Sequence, residues 1–207
     1  MSAIFEWARS DNLQPEPVTV EIWRKLPEDY CRQVEVVNGE VIRAESPQHV
    51  HQKAARRIAE LVESAARTHV SRYGGCLDVE LDFDVVLWEF PRTTIRRPDA
   101  ALIDCAPNHL RPLPASLVKI AIEVVSPGSE KVDIAEKKTE YAVAGIPWYW
   151  LVWVADNRVD TIEIHVLDHV LGQYRQHCTL RPSGNETTIN VPIHVELDWK
   201  YLSDLVL

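Results

Sequence analysis

The pattern of hydrophobic and polar positions in the middle of the chain predicts a strand, a helix and a second strand in succession. Residues 117–125 are rich in β-branched and apolar side chains, and a single acid, Glu123, lies among them. A Ser-Pro-Gly-Ser turn follows, and a helix is expected from Ser129 to Gly145, because serine is a frequent N-cap and glycine a frequent helix terminator. Residues 148–154 are apolar on both faces, which is typical of a buried central strand.

The chain before this unit shows patterns of a short helix, a hairpin and a long helix. Residues 1–17 are expected to form an arm, since two prolines lie near its end. Residues 19–26 have the pattern of a short amphipathic helix. Asn38-Gly39 is the strongest short hairpin signal, and it separates two short strands. Apolar residues recur at helical spacing over residues 50–70, which predicts a long amphipathic helix.

A β-rich stretch connects the long helix to the central unit. Residues 76–88 are expected to form one bent strand or two. Acids alternate with apolar residues there, so that four carboxylates share one face: Asp78, Glu80, Asp82 and Asp84. We interpret this face as a solvated strand surface rather than a cation site, because amphipathic strands commonly show the same alternation. Residues 99–104 are expected to form a short buried strand that begins with an acid.

The last part of the chain is β-rich. Residues 159–167 and 173–180 predict two antiparallel strands joined by a short turn. A further short strand is expected at 187–191 and a helical turn at 199–206. We therefore expect a β-rich extension over residues 155–207.

Length and composition bound the class of protein. The 207 residues suit one domain, which we expect to comprise residues 18–207. No apolar run is long enough to span a bilayer, and the first residues lack the basic start and apolar core of a signal peptide. The four cysteines are scattered without a CxxC pair, which favours free thiols in a cytoplasmic protein and gives no zinc-site spacing.

Charge and motif content narrow the possible functions. The net charge of −9, from 22 basic and 31 acidic residues, opposes strong non-specific binding of nucleic acid, which depends on a basic surface. It leaves open a nucleic-acid enzyme whose acidic site is neutralised by bound metal. The sequence has no GxGxxG, no Walker loop and no GxSxG, so dinucleotide binding, P-loop and serine-hydrolase chemistry have no support.

Two acids lie in strands that the pattern predicts to be buried, Asp99 at the start of one and Glu123 within the other. A buried carboxylate needs a cation, a hydrogen-bond donor or a proton. A Mg²⁺ ion, with Mn²⁺ as a substitute, would meet this need for both, and the backbone carbonyl of Val124 could complete the protein's share. Asp99 could instead cap a turn or pair with Arg97, whereas a mid-strand glutamate is harder to explain otherwise.

The helix of the central unit carries a polar face. Asp133, Lys137 and Tyr141 are four residues apart and share that face. A solvated face with an Asp–Lys pair would have this spacing, but we favour a face that looks back at Glu123. Lys137 would then assist the attacking water or stabilise the transition state. The helical register favours it over its neighbour Lys138.

The order of these residues resembles the PD-(D/E)xK nuclease superfamily. Pro98-Asp99 and Glu123-Val124-Val125 match its signature, except that Val125 occupies the position of the lysine. The chain is similar to a bacterial branch of restriction-endonuclease-like proteins, mostly of unknown role, in which the lysine lies on the next helix. The matching pieces, over about residues 19–155, are Glu35 before Asn38-Gly39, Ser46-Pro47 with His51, Pro98-Asp99, residues 123–127, Asp133 with Lys137 and Tyr141, and residues 145–150.

The resemblance implies an α/β fold of the restriction-endonuclease type: a mixed β-sheet flanked by α-helices, with an antiparallel β extension at the C-terminus. It implies a Mg²⁺-dependent endonuclease acting on phosphodiester bonds of DNA, in which Asp99 and Glu123 bind the metal and Lys137 takes the place of the moved lysine. The residues that would line the site are Glu35, as an outer acid, His51 and Tyr141. An ordinary polar position at a helix start is the alternative for His51.

Two other functions stay open at this point. One is a binding or regulatory module on an inactive nuclease fold, and the other is a metal-dependent phosphodiesterase for small nucleotides, which needs no basic DNA groove. A homodimer is expected, because the two-fold symmetry of duplex DNA suits a two-fold protein. The strands after Val159 are its candidate interface.

Overall fold

The structure is a computed structural model that describes residues 16–44, 48–107, 109–125, 132–184 and 187–205, without the side chains of residues 132–134. Within these ranges the α-helices are α1 (Val20–Lys25), α2 (Glu28–Cys31), α3 (His49–Tyr73), α4 (Lys138–Val143) and α5 (Trp199–Ser203). A π-helical segment, Val132–Lys137, directly precedes α4, and a 3₁₀ turn spans Ala115–Leu117. The strands are β1 (Val34–Val37), β2 (Glu40–Arg43), β3 (Leu77–Leu81), β4 (Val85–Trp88), β5 (Thr94–Arg96), β6 (Ala100–Asp104), β7 (Leu113–Pro114), β8 (Val118–Val125), β9 (Trp148–Ala155), β10 (Arg158–Asp168), β11 (Gln173–Leu180), β12 (Thr188–Ile189) and β13 (Val195–Glu196).

A six-stranded sheet with the order β11-β10-β9-β8-β6-β3 forms the centre of the structure. β8 and β9 are parallel, and the other neighbours in this sheet are antiparallel. A parallel pair needs a crossover connection, and this one contains the π-helical segment and α4. The predicted α/β fold, a mixed sheet flanked by helices with an antiparallel β extension at its C-terminal end, is therefore confirmed.

Different helices cover the two faces of this sheet. On one face, Ile122 and Trp150 belong to the same buried cluster as Val62 of α3. On the other face, Ala121 and Tyr149 lie in a cluster that includes residues of α4 and β4. Alternate residues of β8 point to opposite faces, so the parity of a position decides which helix it meets.

A second sheet, of five strands in the order β2-β1-β5-β4-β7, carries α1 and α2. Trp23 of α1 and Cys31 of α2 are buried against Val36 and Ile95 of its strands. The predicted hairpin between β1 and β2 is confirmed, and Asn38-Gly39 has φ values of 51° and 80°, as its two-residue turn requires.

The predicted β-rich stretch at 76–88 forms two strands that belong to different sheets, β3 and β4. Between them, Asp82 has a φ of 48° and interrupts the alternation of side chains. The prediction of a solvated acidic face is therefore wrong for Asp84, which is 3% exposed. Its carboxylate accepts hydrogen bonds from the side chains of Trp23, Arg97 and Arg111.

Several predicted features lie at or beyond the limits of the described residues. α4 ends at Val143 and is followed by Gly145 with a φ of 79°, as expected of a helix terminator. The expected N-cap Ser129, the Ser46-Pro47 pair and the first fifteen residues of the predicted arm fall outside them. The division into an arm, 1–17, and a domain, 18–207, stays a prediction. Among the described residues, no helix combines the length and apolarity needed to cross a membrane.

The expectation of four free thiols is wrong for Cys76 and Cys105, which form a disulfide. The register of β3 and β6 places Leu77 opposite Asp104, so the two cysteines that flank these strands are neighbours, with their Cα atoms 5.4 Å apart. Cys31 and Cys178 are thiols. The spacing of 29 residues along the sequence gave no sign of this pairing, which depends on the strand register.

We expect reduction of the Cys76–Cys105 disulfide to lower the free energy of unfolding by about 3 kcal/mol, because the bridge restricts the unfolded chain. Urea unfolding with and without reductant measures the difference. Cys105→Ser should show the lower stability under both conditions, and Cys178→Ser should respond to reductant as the wild type does. Equal stabilities of the oxidised and reduced wild type would contradict this role of the bridge.

Candidate active site

The two acids singled out in the sequence lie on neighbouring antiparallel strands. β6 and β8 pair with Ala100 opposite Ile122, and continuing that register by one residue brings Asp99 opposite Glu123. Because Glu123 alternates with Ile122, it faces the α4 side of the sheet. The backbone N–H of Val124 donates to Asp99 Oδ2 at 2.7 Å, which fixes this side chain at the end of its strand. Like charges opposite one another on paired strands repel, so the pair requires nearby cations or donors.

The crossover helix supplies Glu123 with both a cation and a neutral hydrogen-bond donor. Its side chain is 1% exposed. Lys137 Nζ donates to Oε2 at 2.9 Å, and the Tyr141 hydroxyl donates to Oε1 at 2.7 Å. Burial raises the pKa of Tyr141, and the charges of Glu123 and Glu35 raise it further, so the phenol remains a donor. Two donors on its two oxygens hold this buried carboxylate in one orientation.

Two adjacent lysines of this segment reach different partners. Lys137 closes the π-helical segment and extends to Glu123, whereas Lys138 opens α4 and its Nζ lies 3.3 Å from His165 Nδ1. The other ring nitrogen, His165 Nε2, lies 3.2 Å from Glu163 Oε2. Burial lowers the pKa of Lys138, and burial together with the Lys138 charge lowers that of His165. The side chain of Asp133 lies outside the described residues, so the predicted face is described for the lysine and tyrosine alone.

His51, in the first turn of α3, approaches the other acid. Its Nε2 lies 2.9 Å from Asp99 Oδ1. Arg97, which the sequence offered as an alternative partner of Asp99, bonds to Asp84 instead. Asp82, which sequence reasoning placed on a solvated strand, also borders Asp99: its side chain is exposed, yet partial loss of solvent around the carboxyl group and the Asp99 charge raise its pKa.

Glu35 is held by an arginine that sequence reasoning did not single out. Arg96 donates to Glu35 Oε2 at 2.8 Å, and the backbone N–H of Arg97 donates to Oε1 at 2.9 Å. Arg96 is fully buried and also donates two hydrogen bonds to Glu140 of α4, at 2.6 and 3.0 Å. Burial by itself lowers the pKa of Arg96, but Glu140 and Glu35 outweigh it and raise the pKa overall. Glu35 therefore contacts Arg96 rather than either acid of the site, but it lies near enough to Tyr141 to raise the pKa of that side chain.

Strand register, the hydrogen bonds to Glu123 and the approach of His51 to Asp99 thus bring together five of the six side chains predicted for the site. Asp99 is joined to His51, and Glu123 is joined to Lys137 and Tyr141. The sixth, Glu35, contacts Arg96 instead. A signal for the missed pair was present, because Arg96 ends a buried strand and Glu140 precedes the inward-facing Tyr141.

The fold defines the class of the protein, a restriction-endonuclease-like α/β protein. Residues 21–198 match the model of the Uma2 family, described as "Putative restriction endonuclease", and the chain belongs to that family. Among solved structures the chain is similar to a putative nuclease belonging to DUF820 from Anabaena variabilis ATCC 29413. The TM-score is 0.60 and the identity 17%, over 92% of this chain and 100% of that chain, so this likeness concerns the fold. A search of curated proteins found no match.

The donor set of the paired acids fits Mg²⁺ better than Zn²⁺. Within the described ranges, no group of three or more His, Cys, Asp or Glu side chains could hold a metal ion. Structural and catalytic zinc sites need such a group. Mg²⁺ is usually bound by one or two carboxylates and takes its other ligands from water and phosphate. Asp99 and Glu123 supply two carboxylates, whose oxygens have lone pairs beyond those that accept the hydrogen bonds described above.

We expect Lys137→Met to lower the free energy of unfolding by about 3 kcal/mol, because it removes the cation beside the buried Glu123 carboxylate. Urea unfolding near neutral pH, with chelator present, measures the loss. Lys138→Met is the matched control, because Lys138 does not contact Glu123. Its free energy of unfolding should not recover when Glu123→Leu is added. Adding Glu123→Leu to the Lys137 variant should recover part of the loss. An unchanged stability of Lys137→Met would contradict a buried ion pair.

Proposed function

We propose that the protein is a Mg²⁺-dependent endonuclease that hydrolyses phosphodiester bonds of DNA. The observation that carries this proposal is the 2.9 Å contact of Lys137 Nζ with Glu123, on a strand paired with the strand that follows Asp99. Two acids and an amine thus come from the positions that the nuclease signature requires once its lysine is moved to the helix. The description of the family as "Putative restriction endonuclease" supports the same reaction, and the similarity to the putative nuclease from Anabaena variabilis supports the fold on which it rests.

Asp99, Glu123 and the backbone carbonyl of Val124 would hold the Mg²⁺ ion, for which Mn²⁺ would substitute. Such an ion lowers the pKa of a bound water and offsets negative charge on the phosphodiester group. Side chains and backbone of the protein orient both carboxylates. The Val124 amide and His51 orient Asp99, and the Tyr141 hydroxyl orients Glu123.

Lys137 would act beside the reacting phosphate. Its ammonium lies against Glu123 and so borders the proposed metal position. From there it would orient the attacking water by a hydrogen bond and stabilise the negative charge that develops on the phosphate oxygens. A lysine can do this from a helix, because its long flexible stem carries a compact charge to a point that a strand residue could also reach. Glu35 would contribute from outside, as the acid that holds Arg96.

The net charge of −9 favours two competing functions. A regulatory or binding module on an inactive nuclease fold would need no catalysis. A metal-dependent phosphodiesterase for small nucleotides would need no basic surface, since its substrate carries few phosphates. Calorimetric titration with Mn²⁺ separates the first from an enzyme, because an intact pair of acids should bind the ion. A panel of cyclic and linear nucleotides separates the second.

We further propose that the protein acts as a homodimer in the cytoplasm, where the Cys76–Cys105 disulfide would be open to reduction. A two-fold assembly would present two sites to the two strands of a duplex. β11 is an edge strand of the six-stranded sheet as described, so the β10–β11 hairpin has a side available to a second copy. Sedimentation that gave a monomer at assay concentrations would remove this part of the proposal.

We expect the wild type to nick plasmid DNA with Mg²⁺ or Mn²⁺ and to lose activity with chelator. Asp99→Asn and Lys137→Ala should each lower the cleavage rate by about 100-fold or more, because each removes a group that acts in the transition state. Gel analysis of supercoiled, nicked and linear plasmid measures the rates.

Two residues of the same types, near Lys137 and Asp99 in the sequence, provide matched controls for these variants. Lys138→Ala removes the adjacent lysine, which contacts His165, and Asp104→Asn removes an acid at the far end of β6 that pairs with Lys119. Both should cleave as the wild type does. Equal activity of wild type, Asp99→Asn and Lys137→Ala would trace the cleavage to a contaminant and would contradict the proposed function.

A further inference from the structure

We propose that Arg96 is a positioning residue, which acts through Glu140 to fix the rotation of the helix that carries Lys137 and Tyr141. The inference rests on the proposed function for its catalytic consequence, but its geometric part stands without it. Arg96 belongs to β5 of the five-stranded sheet, whereas Glu123 lies in β8 of the six-stranded sheet and Asp99 directly precedes β6 of that sheet.

The first support is the geometry of the arginine. Arg96 is 0% exposed, and its planar fork makes a bidentate contact with Glu140 at 2.6 and 3.0 Å. A third hydrogen bond, at 2.8 Å, goes to Glu35, which the backbone N–H of Arg97 holds in turn. Glu136 lies further out, at 3.7 Å. A bidentate arginine–carboxylate pair fixes direction as well as distance, so Glu140 has little freedom to rotate away.

The second support is the position of Glu140 on the helix. It follows Lys137 by three residues and directly precedes Tyr141, so the three side chains lie on neighbouring parts of one helical face. Lys137 and Tyr141 both end on Glu123. The helix is therefore held at two points, at Glu123 of β8 and at Arg96 of β5. A rotation that broke the arginine contact would also displace the lysine and the tyrosine.

The third support is the weakness of the helix itself. Its α-helical part has six residues, and the six residues before it are π-helical. A helix this short has little stability of its own, and a π-helical segment departs from the regular backbone register. Lys137 is the last residue of that segment. Its position thus depends on side-chain contacts made by the following turn, of which the bidentate contact to Arg96 is the most directional.

The test uses two substitutions that keep the volume of the side chains. Glu140→Gln keeps the shape and loses the charge, and Arg96→Lys keeps the charge and loses the bidentate fork. Both should allow Lys137 to leave Glu123 for part of the time. Labelling of intact protein with an amine-reactive ester, followed by peptide mass spectrometry, should then modify Lys137 several-fold faster than in the wild type. The labelling of Lys119, at the other end of β8 from Glu123, should not change.

The cleavage assay gives a second readout. In both variants the turnover rate should fall by about tenfold, because displacement of a catalytic group slows the reaction. The affinity for DNA, measured without metal, should stay as in the wild type. The double variant should fall no further than either single one, since both break the same contact. Val62→Ala, in the core on the other side of the sheet, is the control for lost stability, and it should leave Lys137 labelling unchanged at a comparable loss of melting temperature.

The outcomes separate this inference from the proposed function. Unchanged Lys137 labelling in folded Glu140→Gln and Arg96→Lys would overturn the positioning role. Faster labelling in Val62→Ala as well would also overturn it, because general loosening would then be the cause. If Arg96→Lys fails to fold, the half-buried Glu140 still provides a testable variant. A wild type that cleaves no DNA would remove the proposed function and leave the labelling result as the measure of positioning.

Discussion

A carboxylate inside a β-sheet, such as that of Glu123 in β8, is tolerated only if cations or donors reach it. Here both come from the connection that the parallel pair β8–β9 needs in any case. Lys137 and Tyr141 each contact one oxygen, so the crossover helix docks through a polar contact as well as an apolar one. The contact of Lys137 that stabilises this charge also places an amine beside the pair of acids, and the proposed chemistry follows from that arrangement.

The five-stranded sheet contributes to the site indirectly. It supplies neither of the two acids nor the lysine, but one of its arginines contacts the helix that carries Tyr141. Arg96 connects β5 to α4 through Glu140, and Arg97 binds the buried Asp84 at the start of β4. Removing one member of such a buried network leaves an uncompensated charge, so the Arg96–Glu140 contact also restricts how α4 packs against the five-stranded sheet. The geometry at Glu123 is thus the product of both sheets.

The sequence was sufficient for those parts of the structure that depend on local pattern. Strand alternation and a turn signal located the mid-strand Glu123, and helical spacing favoured Lys137 over Lys138, which reaches His165 in the structure. It was insufficient where strand register decides. The Cys76–Cys105 disulfide depends on how β3 aligns with β6.

Alternation also failed where the backbone departs from an extended conformation. Asp82, with a φ of 48°, lies between the end of β3 and the start of β4 and breaks the alternation of side chains. Asp84 is therefore buried rather than solvated. The Arg96–Glu140 contact joins β5 to α4 across 44 positions of sequence. Each residue could be recognised as a charged group beside buried positions, but no periodicity within either element predicts that the two pair. Long-range contacts of this kind follow from the packing of the two sheets, which local pattern does not encode.

The most direct measurement of the central claim is a crystal structure of the protein soaked with Mn²⁺, with anomalous diffraction recorded at the manganese edge. The account predicts an anomalous peak between Asp99 and Glu123, at about 2.1 Å from a carboxylate oxygen of each, with Lys137 Nζ on the same side of the sheet. A structure in which manganese binds only elsewhere, while both carboxylates keep their contacts with His51, Tyr141 and Lys137, would contradict it.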